Sequence, residues 1–324
     1  MTCTHIEKST KTVVYAALAG NLLVATTKAG AAAWTGSSSM LSEAIHSFVD
    51  TGNEVLLLYG MRQAARHADP EHPLGYGREL YFWSFVVALL IFALGAGVSI
   101  YQGIAHLRTT EPIRDPLVNY VVLGLAFLFE GGSWLVSVRQ FRAAKGELGY
   151  YEAFRRSKDP PSFMVLFEDS AALIGIAIAA LGTYASAQLG MPSADGIASI
   201  AIGLVLALTS VLLARESKSL LIGERANRAL SDSILRIAGA EPSIARANGV
   251  LTAQLGPDQI LAALSLEFAD DLRATDIENA VVDIERKVRA SHPEVLSLFV
   301  KPQTARTFKE YVQKRYADDE PKSA

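Results

Sequence analysis

The sequence predicts a membrane all-α protein, a six-transmembrane-helix bundle followed by a small α+β ferredoxin-like cytoplasmic domain. Three observations carry that prediction. Half of the 324 residues are hydrophobic and the mean hydropathy is positive, which is more apolar than an ordinary soluble domain. The apolar residues gather into six long blocks before about Ala214. After Glu224 they break into the short alternating runs of a soluble α+β chain.

A membrane helix needs about 20 mostly apolar residues. The six blocks that satisfy this are Val13–Trp34, Met40–Met61, Tyr81–Ala105, Leu117–Val138, Phe163–Leu189 and Ile197–Ala214. The second holds Glu43, His46, Asp50 and Glu54, so a hydropathy window alone loses it. Only Thr35–Ser39 separates it from the first, which predicts a tight helical hairpin. MTCTHIEKSTK at the N-terminus has no short apolar region followed by a small-residue cleavage site, so the first block reads as a retained helix. Cys3 is the single cysteine, which excludes an intramolecular disulfide and a thiolate metal cluster. The net charge of −3 says little about partners, and nothing in the sequence resembles a nucleic-acid-binding basic surface, so no nucleic-acid partner is expected.

Lys and Arg mark the cytoplasmic side of a membrane protein. Lys8 and Lys11 precede the first span, and Arg62, Arg66 and Arg78 follow the second. Arg139, Arg142, Lys145, Arg155, Arg156 and Lys158 follow the fourth, and Arg215 and Lys218 end the sixth. The opposite side carries only Arg108 and Arg114. The bias predicts both termini in the cytoplasm, in agreement with an even number of spans. Small residues such as those at 93–98 and Gly131-Gly132 read as helix-packing positions.

In the tail, Asn227–Gly239 predicts an amphipathic helix and Ile244–Leu255 a strand. The turn Gly256-Pro257-Asp258 leads to a second strand over Gln259–Ala269. Thr275-Asp-Ile-Glu278 predicts a capping box opening a helix that runs to about Ser291. Val295–Val300 predicts a third strand. The order α-β-β-α-β fits the ferredoxin-like arrangement. The domains that follow are a cytoplasmic N-terminus over 1–11, a transmembrane domain over 12–222, a cytoplasmic domain over 223–305 and a polar tail over 306–324.

Ionisable groups inside a bilayer are costly and are functional candidates by default. His46, Asp50 and Glu54 stand four residues apart, and each such step turns only about 40° around a helix. They therefore form one row along the second span. The fifth span carries Glu168 and Asp169, and the fourth carries Glu130. Imidazole and carboxylate together suit borderline first-row divalent cations, and zinc takes four such ligands. His46 and Asp50 with Glu168 and Asp169 supply that number from two helices. Glu168 and Asp169 are adjacent and project about 100° apart. His46 binds either metal or proton near neutral pH, a physical basis for exchanging one for the other.

His46 and Asp50 lie within SMLSEAIHSFVD in the second span, and the chain also carries EHPLGYGRE before the third, Asp195-Gly opening the sixth and Leu220-Leu-Ile-Gly-Glu after it. With these motifs the chain resembles the cation diffusion facilitator family over almost its whole length. The resemblance implies a homodimeric, multi-pass exporter in the cell inner membrane. It implies exchange of protons for cytosolic Zn2+, with the divalent metal as cargo and no resident cofactor. It implies a transport site on the second and fifth spans, where His46 and Asp50 match the second-span pair. Asp169 matches the lower fifth-span position, but Val165 stands where a His or Asp is usual. Glu168 in its place resembles a divergent branch that includes a mitochondrial zinc transporter. One His among three carboxylates is a harder site, which brings in Mn2+, Fe2+ and Co2+. Asp69 and His72 match two ligands of a further zinc site of some relatives, with Tyr76 in place of the third. The tail has one histidine, His292, so a binuclear zinc site there is not expected, and Asp270 and Asp271 read as a solvated loop.

Two rival readings stand beside this one. A membrane metalloenzyme could use intramembrane carboxylates and His to activate water, but no HExxH or comparable signature is present. A non-transporting regulator could bind metal or a partner through the tail.

Overall fold

The computed structural model describes residue 18, residues 21–109 and residues 113–316. Cys3, Lys8, Lys11, the predicted start of the first span at Val13, and residues 317–324 lie outside the described residues. The chain divides into two compact units. One runs through Ala65 and resumes over Glu79–Lys218; the other combines Arg66–Arg78 with Ser219 onward. The loop after the second helix thus groups with the C-terminal unit rather than with the bundle.

The first unit is helical. Helix α1 covers residues 21–35 and α2 covers Ser38–Ala64. Helix α3, Arg78–Leu90, passes through a π-helical turn, Ile91–Ala96, into α4, Gly97–Thr109. Then come α5 (Pro116–Lys145), the short α6 (Tyr150–Arg156), α7 (Pro160–Gln188) and α8 (Ser193–Ile222). Proline opens α5 and α7 at their first positions, where its missing N–H costs nothing. Among the described residues four helices are long and apolar enough to cross a membrane: Arg78–Arg108, Pro116–Ala143, Pro160–Gln188 and Ser193–Ile222. Helix α2 is long enough, at about 40 Å for 27 residues, but its acids keep it out of that group.

Close helix approach rests on small residues. A Cβ on Gly103 would stand 2.6 Å from the Gly196 carbonyl, and one on Gly196 would stand 2.9 Å from the Gly103 carbonyl. Glycine at both places lets α4 and α8 touch backbone to backbone, as small residues do between membrane helices. Gly132 has no such neighbour among the described residues.

Helix α2 is anchored at its start. Ser37 is the N-cap and accepts from the Met40 amide. Asp195, fully buried at the start of α8, accepts from the Ser38 amide and from the Ser37 and Ser39 hydroxyls. A carboxylate at this end also opposes the positive pole of the helix. One α8 residue therefore fixes where α2 begins.

The second unit is built on a three-stranded sheet. Its elements are α9 (Arg228–Gly239), β1 (Ile244–Gly256), β2 (Gln259–Phe268), α10 (Ala274–Ser291), β3 (Val295–Pro302) and α11 (Ala305–Tyr316). The order is β1-β2-β3, antiparallel between β1 and β2 and parallel between β2 and β3. Alternate residues of β2, Ala262, Leu264 and Leu266, point into a core with Leu230 and Ile234 of α9 and Ile284 and Val288 of α10. Helix α10 makes the crossover that a parallel pair requires.

One expectation is corrected. Thr275 does not cap α10: the helix begins at Ala274, and its reciprocal contact runs from the Arg273 amide to the Asp276 carboxylate at 3.0 Å. Asp276 is two residues closer to the start than Glu278 and reaches the first free amide. The polar stretch from Arg306, open between a frayed helix and disorder from sequence, is helical through Tyr316, with Phe308 packed over Gly249 of β1.

The α2 anchor yields a stability test. Asp195→Asn removes the charge from the helix start and is expected to cost about 1–2 kcal/mol, the scale of a lost N-cap. Thermal unfolding of the purified protein, followed by tryptophan fluorescence, should show a lower midpoint; an unchanged midpoint contradicts the anchor.

Candidate functional site

Helix α2 carries two polar rows. In the first, His46 is buried at 1% exposure and its Nδ1 lies 3.2 Å from Asp50 Oδ1, one turn on. That contact lacks hydrogen-bond alignment, and His46 Nε2 has no hydrogen-bond partner among the described residues. A buried imidazole nitrogen with no partner is unfavourable, so this pair has unused bonding capacity. Asn53 extends the row and its Nδ2 donates to Glu168 Oε1 of α7 at 3.0 Å. That bond ties α2 to α7 directly below the His46–Asp50 pair. Asp169 turns the other way: its Oδ2 accepts from Ser133 at 3.0 Å and Ser137 at 3.1 Å, both on α5. Val165 lies one turn earlier on α7. Glu54 accepts from Asn21 of α1 at 2.6 Å.

The second row, Glu43 and Ser47, meets a charge that the sequence reading passed over. Lys28 of α1 is fully buried, with Nζ 2.8 Å from Ser47 Oγ, 3.2 Å from Glu43 Oε2 and 3.5 Å from Glu130 Oε1 of α5. Glu43 fits because α7 has no side chain at Gly175, where a Cβ would collide with the Glu43 carboxylate. Removing one partner of such a buried pair typically costs about 3–5 kcal/mol.

Of the expected residues, the structure places His46 and Asp50 side by side and brings Glu168 against the same helix through Asn53. Asp169 is held on the α5 side. Among the described residues no three His, Cys, Asp or Glu side chains stand close enough to hold one ion. Asn53 and Lys28 are the members the sequence reading missed. Asn53 sits three residues after Asp50, on the row that His46 and Asp50 define. Lys28 is a lone charge in an otherwise apolar first span, and the cost of burying it was the signal.

The loop pair lies apart from this cluster in the chain. Asp69 Oδ1 accepts from the His72 and Glu71 amides, and Oδ2 from the Tyr76 hydroxyl at 2.5 Å. His72 Nδ1 is 3.4 Å from Asp69 Oδ1, and the His72 ring stacks on Tyr76 with centroids 4.3 Å apart. Arg66 lies over the other aromatic partner, 4.2 Å from the Tyr76 ring centre. The Tyr76 bond, then the His72 amide, hold the Asp69 carboxyl below its ordinary range, and the same bond raises the Tyr76 phenol. In the tail, His292 bonds Ser233 at 2.8 Å and faces Glu294 at 3.4 Å. Asp270 and Asp271 are exposed.

Comparison with known proteins adds the following. A family profile described as the cation efflux transmembrane domain matches residues 14–222. The chain is 33% identical over 238 residues to the mitochondrial proton-coupled zinc antiporter SLC30A9 of Xenopus laevis, covering 72% of this chain and 42% of that protein. It is 36% identical over 229 residues to metal tolerance protein C4 of Arabidopsis thaliana, covering 70% of this chain and 49% of that protein. It is 26% identical over 270 residues to the cation-efflux pump FieF of Cronobacter sakazakii, covering 80% of this chain and 81% of that protein. The match thus spans less than half the length of the first two relatives.

The loop geometry has a pH consequence. A carboxyl with a depressed pKa in the folded state contributes stability above its unfolded value, and that contribution is lost as the pH falls through the folded value. Acid should therefore loosen the Asp69 turn. Tyr76→Phe should raise the Asp69 titration midpoint toward the ordinary aspartate range and shrink this effect, measured by carboxyl carbon NMR. An unmoved midpoint contradicts the assignment to the Tyr76 bond.

Proposed function

The chain belongs to the cation efflux family, and on that premise we propose that it exports divalent metal cations from the cytosol in exchange for protons. Membership makes it a multi-pass membrane transport protein and not an enzyme, so the metalloenzyme reading falls away. Zn2+ is the first expected cargo, because the relatives named above include a zinc antiporter. Mn2+, Fe2+ and Co2+ follow from the single imidazole among carboxylates.

The observation that carries the reading is the buried His46–Asp50 pair, whose Nε2 has no partner. In this reading the two side chains supply the α2 ligands. Glu168 and Asp169 supply those of α7, with Glu168 in the role left open by Val165. Asn53 donates to Glu168, and Ser133 and Ser137 donate to Asp169. A cation entering between α2 and α7 would replace those weaker bonds with ligation, and protons would replace the cation on release. Rocking of the helices around a midplane site gives alternating access, as is common among secondary transporters. Six spans, with α1 and α2 as the first two, put both termini on the cytoplasmic side. The C-terminal α-β-β-α-β unit is a ferredoxin-like dimerisation domain, and the working form is a homodimer in the cell inner membrane. Asp69 and His72 offer a weaker surface site, since Tyr76 takes one of the Asp69 oxygens.

Asp50→Ala should abolish zinc uptake into proteoliposomes under an imposed pH gradient, with the thermal unfolding midpoint little changed. Transport at the wild-type rate by this variant would remove the site assignment. Uptake of Mn2+ in preference to Zn2+ by the unaltered protein would mean that the carboxylates govern selectivity.

A further inference from the structure

Among the described residues Lys28 is the one buried Lys or Arg. Its ammonium occupies a small oxygen cage built from three helices: Glu43 and Ser47 of α2, Glu130 of α5, and the stem of Lys28 itself from α1. Two carboxylates and a hydroxyl are hard oxygen donors, the set that divalent cations take. Glu43 is fully buried, and its second oxygen, Oε1, has no hydrogen-bond partner among the described residues. Gly175 lets the α7 backbone pack directly against that oxygen, which a Cβ at this position would strike. Glu43 is three residues, less than one helical turn, before His46. An ion moving along α2 would therefore meet these acids close to the proposed transport site.

We propose that Glu43, Ser47 and Glu130 form a second cation site, filled by the tethered ammonium of Lys28 so that the transported divalent ion is confined to the His46–Asp50 site. This rests on the transport-site reading above. A covalently tethered cation has a high effective concentration at its own site, so it excludes a free ion without having to bind tightly. The chemistry also accounts for a costly arrangement. A lone buried Lys in a span has no packing advantage over Leu or Met, whereas a charge that keeps two acids from capturing cargo has a role only a cation can fill.

The test is ion counting on the purified full chain, equilibrated with Zn2+ alone and dialysed, by elemental mass spectrometry. Lys28→Gln should hold one more zinc ion per protomer than the unaltered protein, and Lys28→Arg should hold no more than it. Adding Glu43→Gln and Glu130→Gln to Lys28→Gln should remove the extra ion. Lys28→Met keeps the apolar stem and serves as the second variant where Lys28→Gln does not fold. No gain in either variant, or a gain that survives loss of both acids, overturns the proposal. The difference is independent of the starting count. An unaltered protein that holds no zinc, with a gain on removal of Lys28, would leave this site standing and overturn the His46–Asp50 reading alone.

Discussion

A charged or polar side chain inside a bilayer must find its partner within the protein, because the lipid offers none. In the first unit that requirement links the helices, and α2 is where the links meet. Lys28 draws α1 and α5 to Glu43 and Ser47. Asn53 reaches Glu168 of α7, and Asn21 of α1 reaches Glu54. Asp195 of α8 holds the first turn. An apolar seam between membrane helices can slide without much loss, since lipid is as apolar as the partner helix. These bonds cannot slide, so they set the register of α2 against each neighbour.

His46 and Asp50 are the exception. They face each other without a well-formed hydrogen bond, on a helix where the other acids have partners in hand. A site meant to bind and release a cation must not be satisfied by the protein itself, or the cargo gains nothing by entering. The contrast between the Lys28 cage, which already holds a cation, and the under-bonded His46–Asp50 pair is what makes the latter the proposed transport site.

Much of this was legible from residues alone. The row at His46 and Asp50, the motif loop at Glu71 and the alternation in β2 each reflect local spacing, which a sequence displays directly. The family followed from those motifs. What was not legible depends on which helices become neighbours. Glu43 and Glu130 looked like loose acids because their partner, Lys28, is 15 residues from one and 102 from the other. The choice of Asp276 over Glu278 at the start of α10 turns on a single residue of helix phase, beneath the resolution of pattern reading. The π-helical turn at Ile91–Ala96 leaves no mark in an apolar run. Helix α2 fails an apolarity criterion for the reason that makes it interesting, since its ionisable residues are the candidate machinery.

Anomalous X-ray scattering at the zinc edge, on crystals of the full chain grown with Zn2+, tests most directly whether α2 and α7 together hold a divalent cation. A peak is expected within ligand distance of His46 and Asp50, with a carboxylate of α7 completing the shell. A peak confined to the Asp69–His72 loop or to the tail, with none at α2, would contradict it.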